Sequence, residues 1–555
     1  MAALICFAAY AAGYQLYAKR IARDVFRLDP DAVTPAHALR DDRDYVPASR
    51  YVLFGHHYAS IAGLSPMLGP AIAVIWGWLP AMLWVVFGTL LIGAVHDFSA
   101  LVVSMRSKGK SIGKVAEDVI GSRAKSLFHI IIFFLIALAM GVFVQVVAQL
   151  FSKSFYPEAV FPSGVLMVLA VAMGFGFYRR GLPLGPLTAI GFALTLAAVY
   201  LAVHLPRPEL GMGTWSLILL LYAGLASVLP VWLLLQPRDY LNSLLLYLGL
   251  VAIFAGFALL RPAFAAPAVA LHPEGAPPLF PFVFIVIACG AISGFHGLVS
   301  SGTTAKQIDR ETDATFIGYG GMIGESLLGL AAVLACTAGF ASPVAWQEHY
   351  ATWNAAQGLG RSMSAFIDGS ARFLGSLGIP VEAGRAFVAL VAVSFALTTL
   401  DSATRLLRYN IEEVSETLRL PALGNRYVAT LLAVAAIGFF SSYRIDGQPA
   451  GLALWALFGT TNQTLGGLTL LAVTLYLLRR GRSVRYTLAP MLFMMVTSVV
   501  AMVLNVRGFW RADQHLLLVV GGALLLLAVW VCVEAALSLA WREPPAPPAA
   551  LASGS

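Results

Sequence analysis

Residues 54–76 read FGHHYASIAGLSPMLGPAIAVIW, a stretch that is long and apolar enough to cross a bilayer. Its centre nevertheless carries five residues that interrupt or weaken a helix, namely Gly63, Ser65, Pro66, Gly69 and Pro70. A lipid-facing helix does not tolerate so many interruptions, because each freed backbone group would lack a partner in hydrocarbon. We therefore predict a broken membrane helix that lies inside a helical bundle.

The composition of the whole chain supports a membrane location. Of its 555 residues, 59% are hydrophobic and 12% are charged, whereas soluble domains contain about 25% charged residues. Such a chain cannot cover itself with a polar surface, so a soluble nucleic-acid-binding protein and a cytosolic enzyme are excluded. The four cysteines lie far apart in apolar runs, which argues against disulfides and against a metal site.

Apolar stretches of spanning length recur along the chain. We predict about fifteen membrane helices, over residues 2–18, 54–76, 79–104, 127–150, 162–178, 185–203, 214–236, 241–260, 281–302, 316–340, 386–404, 427–442, 450–478, 486–506 and 514–541. With the N-terminus in the periplasm, most of the 36 Lys and Arg residues fall in inner segments, as the positive-inside rule requires. Loop 105–126 and the C-terminus are then cytoplasmic. The long loop 341–385 is periplasmic and forms either a lid or an interfacial helix.

A second stretch, residues 214–236, contains Gly224, Ser227 and Pro230 at comparable depth. It begins five helices after the first break, and because five is odd, the second set of five helices enters from the opposite side. Paired breaks at matching positions are typical of inverted-repeat transporters, which hold substrate at the midplane between unwound helices. We therefore predict an all-α polytopic fold with a five-plus-five core and two broken helices.

This interpretation divides the chain into five parts. Residues 1–50 form an N-terminal helix and a cytoplasmic linker, 51–204 the first repeat and 205–404 the second repeat. Residues 405–542 supply four peripheral helices, and the Pro/Ala-rich tail 543–555 is expected to be disordered.

A third glycine-rich stretch covers residues 281–302 and the segment that follows. Small residues allow close helix packing, which is the simpler interpretation of its glycines. Its polar side chains exceed what packing needs; they are Ser293, His296, Ser300, Ser301 and Thr304. We place this cluster on the third helix of the second repeat.

Few acidic residues lie inside the predicted spans, and a charge at a helix centre costs about 2.5–3.5 kcal/mol. Glu534 lies on a peripheral helix and can reach the interface, whereas Asp97, Glu325 and Asp401 lie in the repeat core. Buried carboxylates and histidines can exchange protons near neutral pH. The predicted proton-coupling residues are Asp97, Glu325, Asp401, His56 and His57. A structural ion pair is the alternative for each, and Asp401 in particular can pair with Arg405 one turn later.

A series of short motifs spans most of residues 40–410. They are DYVP (44–47), RYVLFGHH (50–57), AGLSP (62–66), GP (69–70), GAVHDF (93–98), the stretch from Cys289 to Gln307, ETDA (311–314), GYG (318–320) and TTLD (398–401). In this order they resemble the carbon starvation protein A family. The resemblance implies uptake of peptides or pyruvate across the bacterial inner membrane, and a fold similar to that of the amino acid–polyamine–organocation superfamily.

We predict a secondary transporter, coupled to protons, that imports short peptides or small carboxylates such as pyruvate during carbon starvation. The chain has no GxxxxGK[ST] phosphate loop and no compact nucleophile or metal constellation, so we expect neither an ATP-driven pump nor an enzyme. Sodium coupling and a channel are the alternatives. We expect no cofactor, no metal and no nucleic-acid partner, and the sequence does not determine the oligomeric state.

The substrate is expected between the two breaks, because exposed N–H groups of half-helices suit a carboxylate. The predicted substrate-binding residues are Gly63, Ser65, Pro66, Ser227, Ser293 and His296. The resemblance to sodium-driven members of the superfamily implies a possible cation site at the backbone near Ser60 and Gly63 and at the hydroxyls of Ser300, Ser301 and Thr304. The core carboxylates favour protons instead.

Overall fold

The computed structural model describes residues 2–541 except 154, 203, 206, 207 and 446. Within this part of the chain nearly everything is helical, and the only sheet is a hairpin of two short strands, β1 (Arg444–Ile445) and β2 (Gln448–Pro449). The all-α prediction is thus confirmed. Arg542 and the predicted disordered tail 543–555 lie outside the described residues.

Seven helices of the first part of the chain are labelled here, and the short helices Pro35–Ala38 and Ile112–Val119 lie between them. Helix α1 begins as a regular α-helix over Ala2–Ala12. It continues to Phe26 with wider turns at Gly13–Ala18 and Ile21–Phe26. It is followed by two half-helices, α2 (Arg50–Ile61) and α3 (Ser65–Trp76). Four continuous helices come next: α4 (Trp78–Arg106), α5 (Ser122–Leu150), α6 (Pro157–Arg179) and α7 (Leu184–Ala202).

Eleven labelled helices make up the rest of the chain: α8 (Met212–Val228), α9 (Leu235–Leu260), α10 (Leu279–Val286), α11 (Gly294–Gly302), α12 (Glu311–Ala338), α13 (Leu359–Gly375), α14 (Val381–Leu418), α15 (Arg426–Ser442), α16 (Phe458–Arg479), α17 (Arg485–Arg511) and α18 (His515–Trp541). Side-chain caps begin some of them. The Asn425 side chain, for example, accepts hydrogen bonds from the first backbone N–H groups of α15.

Nine of the described helices are individually long and apolar enough to cross a membrane, or ten spans if the bent pair α2–α3 counts as one. The other predicted spans correspond to α1, the short α8 and α15, the pair α10–α11, and α16. A multi-pass membrane protein is therefore confirmed, whereas the count of fifteen stays a prediction.

Helices α5, α12 and α14 lie at the centre of the bundle. In their most apolar windows 78%, 83% and 89% of residues are buried, against 17% in α7 and 22% in α18. The two outer helices therefore present most of their surface to lipid, and a buried site is expected around α5, α12 and α14.

The second broken helix is not where the sequence analysis placed it. Helix α8 runs unbroken to Val228, and Pro230 lies in the turn before α9. The interruption lies instead between α10 and α11, where residues 287–293 leave the helix and Gly290 adopts a φ of +93°. A positive φ favours glycine, so the glycines of this stretch serve a backbone conformation besides packing.

The order of helices recurs along the chain. A broken helix (α2–α3), two long helices (α4, α5), a 17-residue helix (α8) and a long helix (α9) are followed by a second set, α10–α11, α12, α14, the 17-residue α15 and α16. The hairpin α6–α7 is inserted into the first set. We propose that the repeats are 50–260 and 279–479, in place of the predicted boundary at 205. The 281–302 stretch then begins the second repeat and is not its third helix.

The loop predicted at residues 341–385 contains two short helices, Pro343–His349 and Trp353–Gln357, and helix α13. Phe366, Ile367 and Phe373 of α13 are buried against the bundle, and Tyr350 donates a hydrogen bond of 2.8 Å to the carbonyl of Ala71 in α3. The segment therefore covers one end of the broken helix. This packing is what a lid would need, and its movement stays a prediction.

One face of the bundle, here called the basic face, carries Arg27, Arg50, Arg106 and Arg405. Contacts between distant segments define it: Arg106 donates to the carbonyl of Arg27 at 3.2 Å, and Arg405 pairs with Asp44 at 2.7 Å. Helix α12 leads from the basic face into the segment 341–385, and α14 leads from this segment back to the basic face at Arg405. The segment therefore lies on the opposite face. The positive-inside rule favours a cytoplasmic location for the basic face.

Candidate functional site

The break in the first broken helix lies at Ala62–Leu64, between half-helices that differ in direction by 48°. A Cβ atom at Gly63 would lie only 2.7 Å from Thr399 Oγ1 of α14 and 3.1 Å from the Phe143 ring of α5. Glycine is therefore required for close approach of α14, and a larger residue would push the helices apart.

The two broken helices cross at their breaks. A Cβ atom at Gly69 of α3 would lie 2.6 Å from the carbonyl oxygen of Val286, and one at Gly290 would lie 3.5 Å from Pro66. Both interruptions are thus brought to one place in the bundle, as the inverted-repeat argument predicts, although the second partner is the 287–293 stretch.

A small cavity of about 20 Å³ lies at this crossing. Its lining is mostly apolar, with a few polar groups: Ile61, Gly63, Ser65, Leu135, Ala139, Met140, Phe143, Cys289, Phe295, Thr399 and Phe458. A cavity needs about 10–15 Å³ to hold one water molecule, so this one has room for little more. The protein is described in a closed state, and any organic substrate requires the cavity to widen.

Beside the second broken helix, four ionisable residues form a chain called here the imidazole–carboxylate cluster: His96, Asp97, His296 and Glu325. All four side chains are fully buried. His96 Nδ1 lies 2.7 Å from Asp97 Oδ1, and His296 Nδ1 lies 3.1 Å from Asp97 Oδ2. On its other side, His296 Nε2 lies 3.3 Å from Glu325 Oε1, without the alignment of a hydrogen bond.

A second buried group, called here the guanidinium cluster, consists of His56, Tyr222, Arg238, Asp239 and Asp401. Arg238 Nε donates to Asp239 Oδ1 at 3.0 Å, and the same guanidinium contacts Asp401 Oδ2. The Tyr222 hydroxyl donates to Asp401 at 2.7 Å, and His56 Nδ1 lies 2.6 Å from Asp239 Oδ2. One permanent cation thus holds two carboxylates in place.

The alternative considered for Asp401, a pair with Arg405, is wrong. Arg405 points to the basic face, where it pairs with Asp44 at 2.7 Å and donates to the carbonyl of Ala226 at 2.8 Å. Asp401 is instead held by Arg238, which is 163 residues away in sequence. Residues one turn apart on a helix share a face, but long side chains follow whichever helix packs against that face.

The hydroxyls of the possible cation site have different partners. Ser301 donates to the carbonyl of Gly297 at 2.7 Å, the Thr304 hydroxyl lies 2.9 Å from His57 Nδ1, and Ser300 Oγ has no hydrogen-bond partner among the described residues. Ser60 lies in α2, and its hydroxyl is 3.0 Å from that of Ser402 in α14.

The hydroxyls that hydrogen-bond to backbone carbonyls of α2 belong to α14, whereas the sequence predicted that hydroxyls of α11 and of the segment after it would lie near this backbone. Thr398 donates to the carbonyl of Ala59 at 2.9 Å, and Thr399 donates to that of Ser60 at 3.3 Å. These hydroxyls and carbonyls hydrogen-bond to each other directly. The signal that was missed is the TTLDS stretch, Thr398–Ser402, in which three hydroxyls lie near a buried carboxylate.

The predicted substrate residues divide into three groups. Gly63 and Ser65 line the cavity, and Pro66 follows Ser65 and lies against Gly290. Ser293 hydrogen-bonds to Asn462 of α16 at 3.1 Å, and His296 belongs to the imidazole–carboxylate cluster. Ser227 is buried at the end of α8 and is not a lining residue, because the break on which its assignment rested is absent there.

Of the five predicted proton-coupling residues, the structure brings Asp97 and Glu325 together through His296, and Asp401 and His56 through Arg238 and Asp239. Sequence reasoning missed Arg238 and Asp239, because it left them in a loop between two spans. They lie within α9 and are almost fully buried.

Ion pairs close the basic face. Burial favours the protonated form of Asp44, but Arg405, Arg408 and Lys306 outweigh it and hold the pKa of this carboxyl well below its usual range. A carboxyl with a lowered pKa contributes stability above its ordinary pKa and loses it only as the pH falls through the lowered value. The contact between Asp44 and α14 therefore persists throughout the neutral range.

Comparison with known proteins identifies the family. The sequence profile of the family described as carbon starvation protein CstA matches residues 1–358 and 340–501. The peptide transporter CstA of Campylobacter jejuni is 34% identical, over 90% of this chain and 78% of its own. That of Bacillus subtilis is 31% identical, over 92% of this chain and 89% of its own. The pyruvate/proton symporter BtsT of Escherichia coli is 31% identical, over 91% of this chain and 82% of its own.

Among solved structures, the Eremococcus coleocola manganese transporter bound to an aromatic bis-isothiourea compound aligns with a TM-score of 0.45 and 14% identity, over 90% of this chain and 99% of the other. The relatives of known name are membrane transporters, which agrees with a transporter and not an enzyme. On the match of the family profile and of these relatives, the chain belongs to the carbon starvation protein CstA family.

Proposed function

We propose that this transporter is a proton-coupled symporter that imports small monocarboxylates of the pyruvate class. The observation that supports this most is the buried chain from Asp97 through His296 to Glu325. It lies one residue along α11 from the cavity, because Phe295 lines the cavity and His296 follows it.

The cavity lining suits one carboxylate better than a zwitterion. Among the described residues that line it, none is an acidic or basic side chain. The hydroxyl of Ser65 can donate a hydrogen bond, and Ser65 lies at the N-terminus of α3, where the helix dipole favours an anion. A dipeptide would also need an acceptor for its ammonium group, which here would have to be a carbonyl of an interrupted helix.

Short peptides are the second candidate substrate. Relatives in several organisms are named peptide transporters, and Phe143, Phe295 and Phe458 give the cavity apolar walls that suit a peptide side chain. A cavity of about 20 Å³ must widen for either substrate, and it must widen much further for a peptide.

Proton coupling follows from the charge of the imidazole–carboxylate cluster. Two carboxylates and two imidazoles in a fully buried place carry a net charge that depends on how many protons they hold. A buried net charge is costly, so gain or loss of one proton changes the stability of the closed arrangement. Sodium is the alternative coupling ion.

The proposed orientation follows from charge. The basic face lies in the cytoplasm, the N-terminus and the segment 341–385 lie in the periplasm, and the C-terminus is cytoplasmic. In a bacterial inner membrane, inward proton flow would then drive uptake during carbon starvation.

Transport in proteoliposomes tests the coupling. We expect Glu325→Gln to stop uptake driven by a pH gradient and to spare exchange of internal for external pyruvate, because exchange does not require release of the proton. Glu534→Gln is the matched control, since Glu534 is also a carboxylate within a span but lies on the outer helix α18, where it pairs with Arg123 at 3.4 Å. Uptake by the wild type that requires a sodium gradient and ignores a pH gradient would contradict proton coupling.

Competition for uptake tests the substrate. Unlabelled pyruvate should compete with labelled pyruvate, and di- and tripeptides should not. Strong competition by dipeptides, with none by pyruvate, would favour the second candidate.

A further inference from the structure

An open cleft of about 680 Å³ lies on the basic face, between the end of α1 and the first turns of α2 and α12. It shares no lining residue with the central cavity. Its walls carry four cationic side chains, Lys19, Arg23, Arg27 and Arg50, against one carboxylate, Asp313. The cleft therefore surrounds a space of ligand size with positive charge.

Three of these four cations have no ion pair among the described residues. Lys19 Nζ donates to the side-chain oxygen of Gln15 at 2.5 Å, and Arg50 Nη2 donates to the Tyr51 hydroxyl at 2.6 Å. Only Arg23 is paired, with Asp24 at 2.7 Å. Basic residues that merely set topology need only face the cytoplasm. Here four of them converge on one cleft, in which Asp313 is the one carboxylate among the described lining residues.

Aromatic rings hold Arg50 in place. Its guanidinium carbon lies 4.7 Å from the centre of the Tyr51 ring and 5.9 Å from that of Phe316, which also lines the cleft. A planar guanidinium held in this way is suited to phosphate, which it can bind through two parallel hydrogen bonds.

Positive charge continues behind the cleft. Burial lowers the pKa of the Arg482 guanidinium, and the nearby charges of Arg27, Arg106 and Arg480 lower it further. An anion in the cleft would relieve this repulsion, so the surroundings favour a negatively charged ligand.

The cleft adjoins a surface that faces lipid. Leu16 of α1, less than one turn before Lys19, is 73% exposed, and Tyr51 at the start of α2 is 57% exposed. A cationic pocket at the interface next to an exposed apolar helix surface fits a molecule with a phosphate group and acyl chains. Basic pockets between membrane helices on the cytoplasmic side bind such headgroups in other proteins.

We propose that this cleft binds the phosphate group of an anionic phospholipid, with the headgroup at Lys19, Arg27 and Arg50 and the acyl chains along the Leu16 side of α1. The chemistry recognised is a phosphate anion, which a soluble phosphate compound shares. A phospholipid is preferred because its acyl chains can contact the apolar surface beside the cleft, whereas a soluble ion cannot use that surface for binding. This site is independent of the substrate and of the coupling ion.

Native mass spectrometry of the delipidated full-length protein tests the proposal, with phosphatidylglycerol and phosphatidylcholine as probes. We expect phosphatidylglycerol to bind preferentially to the wild type. The double variant Lys19→Gln/Arg27→Gln should bind it about 30-fold more weakly, the factor for loss of two attractions between a basic side chain and an anionic lipid. Neither residue has an acidic partner, so the variant leaves no unpaired carboxylate.

The matched control is Arg507→Gln/Arg511→Gln, which removes two exposed arginines at the C-terminal end of α17, on the face of the bundle opposite the cleft. This variant should bind phosphatidylglycerol as the wild type does. Equal binding of both lipids by the wild type, or equal loss in both double variants, would overturn the proposal. Displacement of phosphatidylglycerol by millimolar inorganic phosphate would assign the cleft to a soluble anion and overturn the lipid assignment. The melting temperature of each variant establishes that it is folded.

Discussion

The two buried clusters contain the same number of carboxylates but differ in their cations. Asp97 and Glu325 are faced by two imidazoles, whereas Asp239 and Asp401 are faced by the guanidinium of Arg238. An arginine keeps its charge at any physiological pH, so Arg238 gives the guanidinium cluster a permanent positive charge. An imidazole changes its charge near neutral pH. Burial alone therefore does not identify a carboxylate as a proton-coupling group. The cation that pairs with the carboxylate has to be known as well.

This difference assigns different roles to residues that the sequence analysis placed in one group. Asp401 belongs to a cluster that ties α8, α9 and α14 together through Tyr222, Arg238 and Asp401 itself. Asp97 and Glu325 belong to the cluster for which we propose proton coupling. Substitutions in the guanidinium cluster are expected to impair folding, and substitutions in the imidazole–carboxylate cluster are expected to impair coupling.

The largest effect is expected from Arg238→Leu. The substitution leaves Asp239 and Asp401 buried without their cation, which should destabilise the protein by about 3–5 kcal/mol. Thermal unfolding in detergent measures the loss, and Arg238→Leu/Asp401→Leu should recover part of it. The control Arg385→Leu, which removes an exposed pair with Asp368, should cost less than about 1 kcal/mol. If Arg238→Leu unfolds like the wild type, the guanidinium cluster is not structural.

Asp97→Asn should have a large effect on transport and a small one on folding. The amide keeps the shape of the carboxyl and its contacts with His96 and His296, but it cannot carry the proton-dependent charge. We expect folded protein whose uptake driven by a pH gradient falls to background, and whose exchange no longer varies between about pH 5 and 8. A wild-type pH profile in this variant would break the distinction between the two clusters.

The smallest effect is expected from Ser402→Ala, which removes the hydroxyl near Ser60. Loss of one such hydrogen bond costs about 0.5–1.5 kcal/mol, and uptake should remain independent of sodium. Ser394→Ala, a buried hydroxyl of the same helix with no hydrogen-bond partner among the described residues, is the control. Uptake that is lost in Ser402→Ala alone and regained at high sodium would indicate a sodium site and leave the imidazole–carboxylate cluster without a coupling role.

Much of the fold could be predicted from local sequence. The broken helix at Gly63–Pro66 and the membrane location follow from residue types within about 20 positions of each other. The second break could not be placed in the same way. Pro230 and the glycines around Gly290 both interrupt helices, and only the fold shows that Pro230 lies between two helices and Gly290 within a broken one.

The candidate site was predictable in part for a similar reason. Asp97 and Glu325 are recognisable as acidic residues in apolar runs, because the cost of burying a charge demands a partner. The identity of the partner does not follow from that cost. Arg238 looked like a loop residue, and Thr399 like an ordinary hydroxyl of a long helix, until packing brought them against α14 and α2.

The sequence by itself determined that this chain lies in a membrane, where one helix must break, and which buried groups require partners. Each of these depends on the free energy of placing a residue in hydrocarbon, which is a local property. Only the tertiary structure decided that Asp401 meets Arg238 and that Asp97 meets His296, which lie 163 and 199 residues apart. Such pairs depend on which helices pack together, and helix packing is a property of the whole chain, not of any stretch of it.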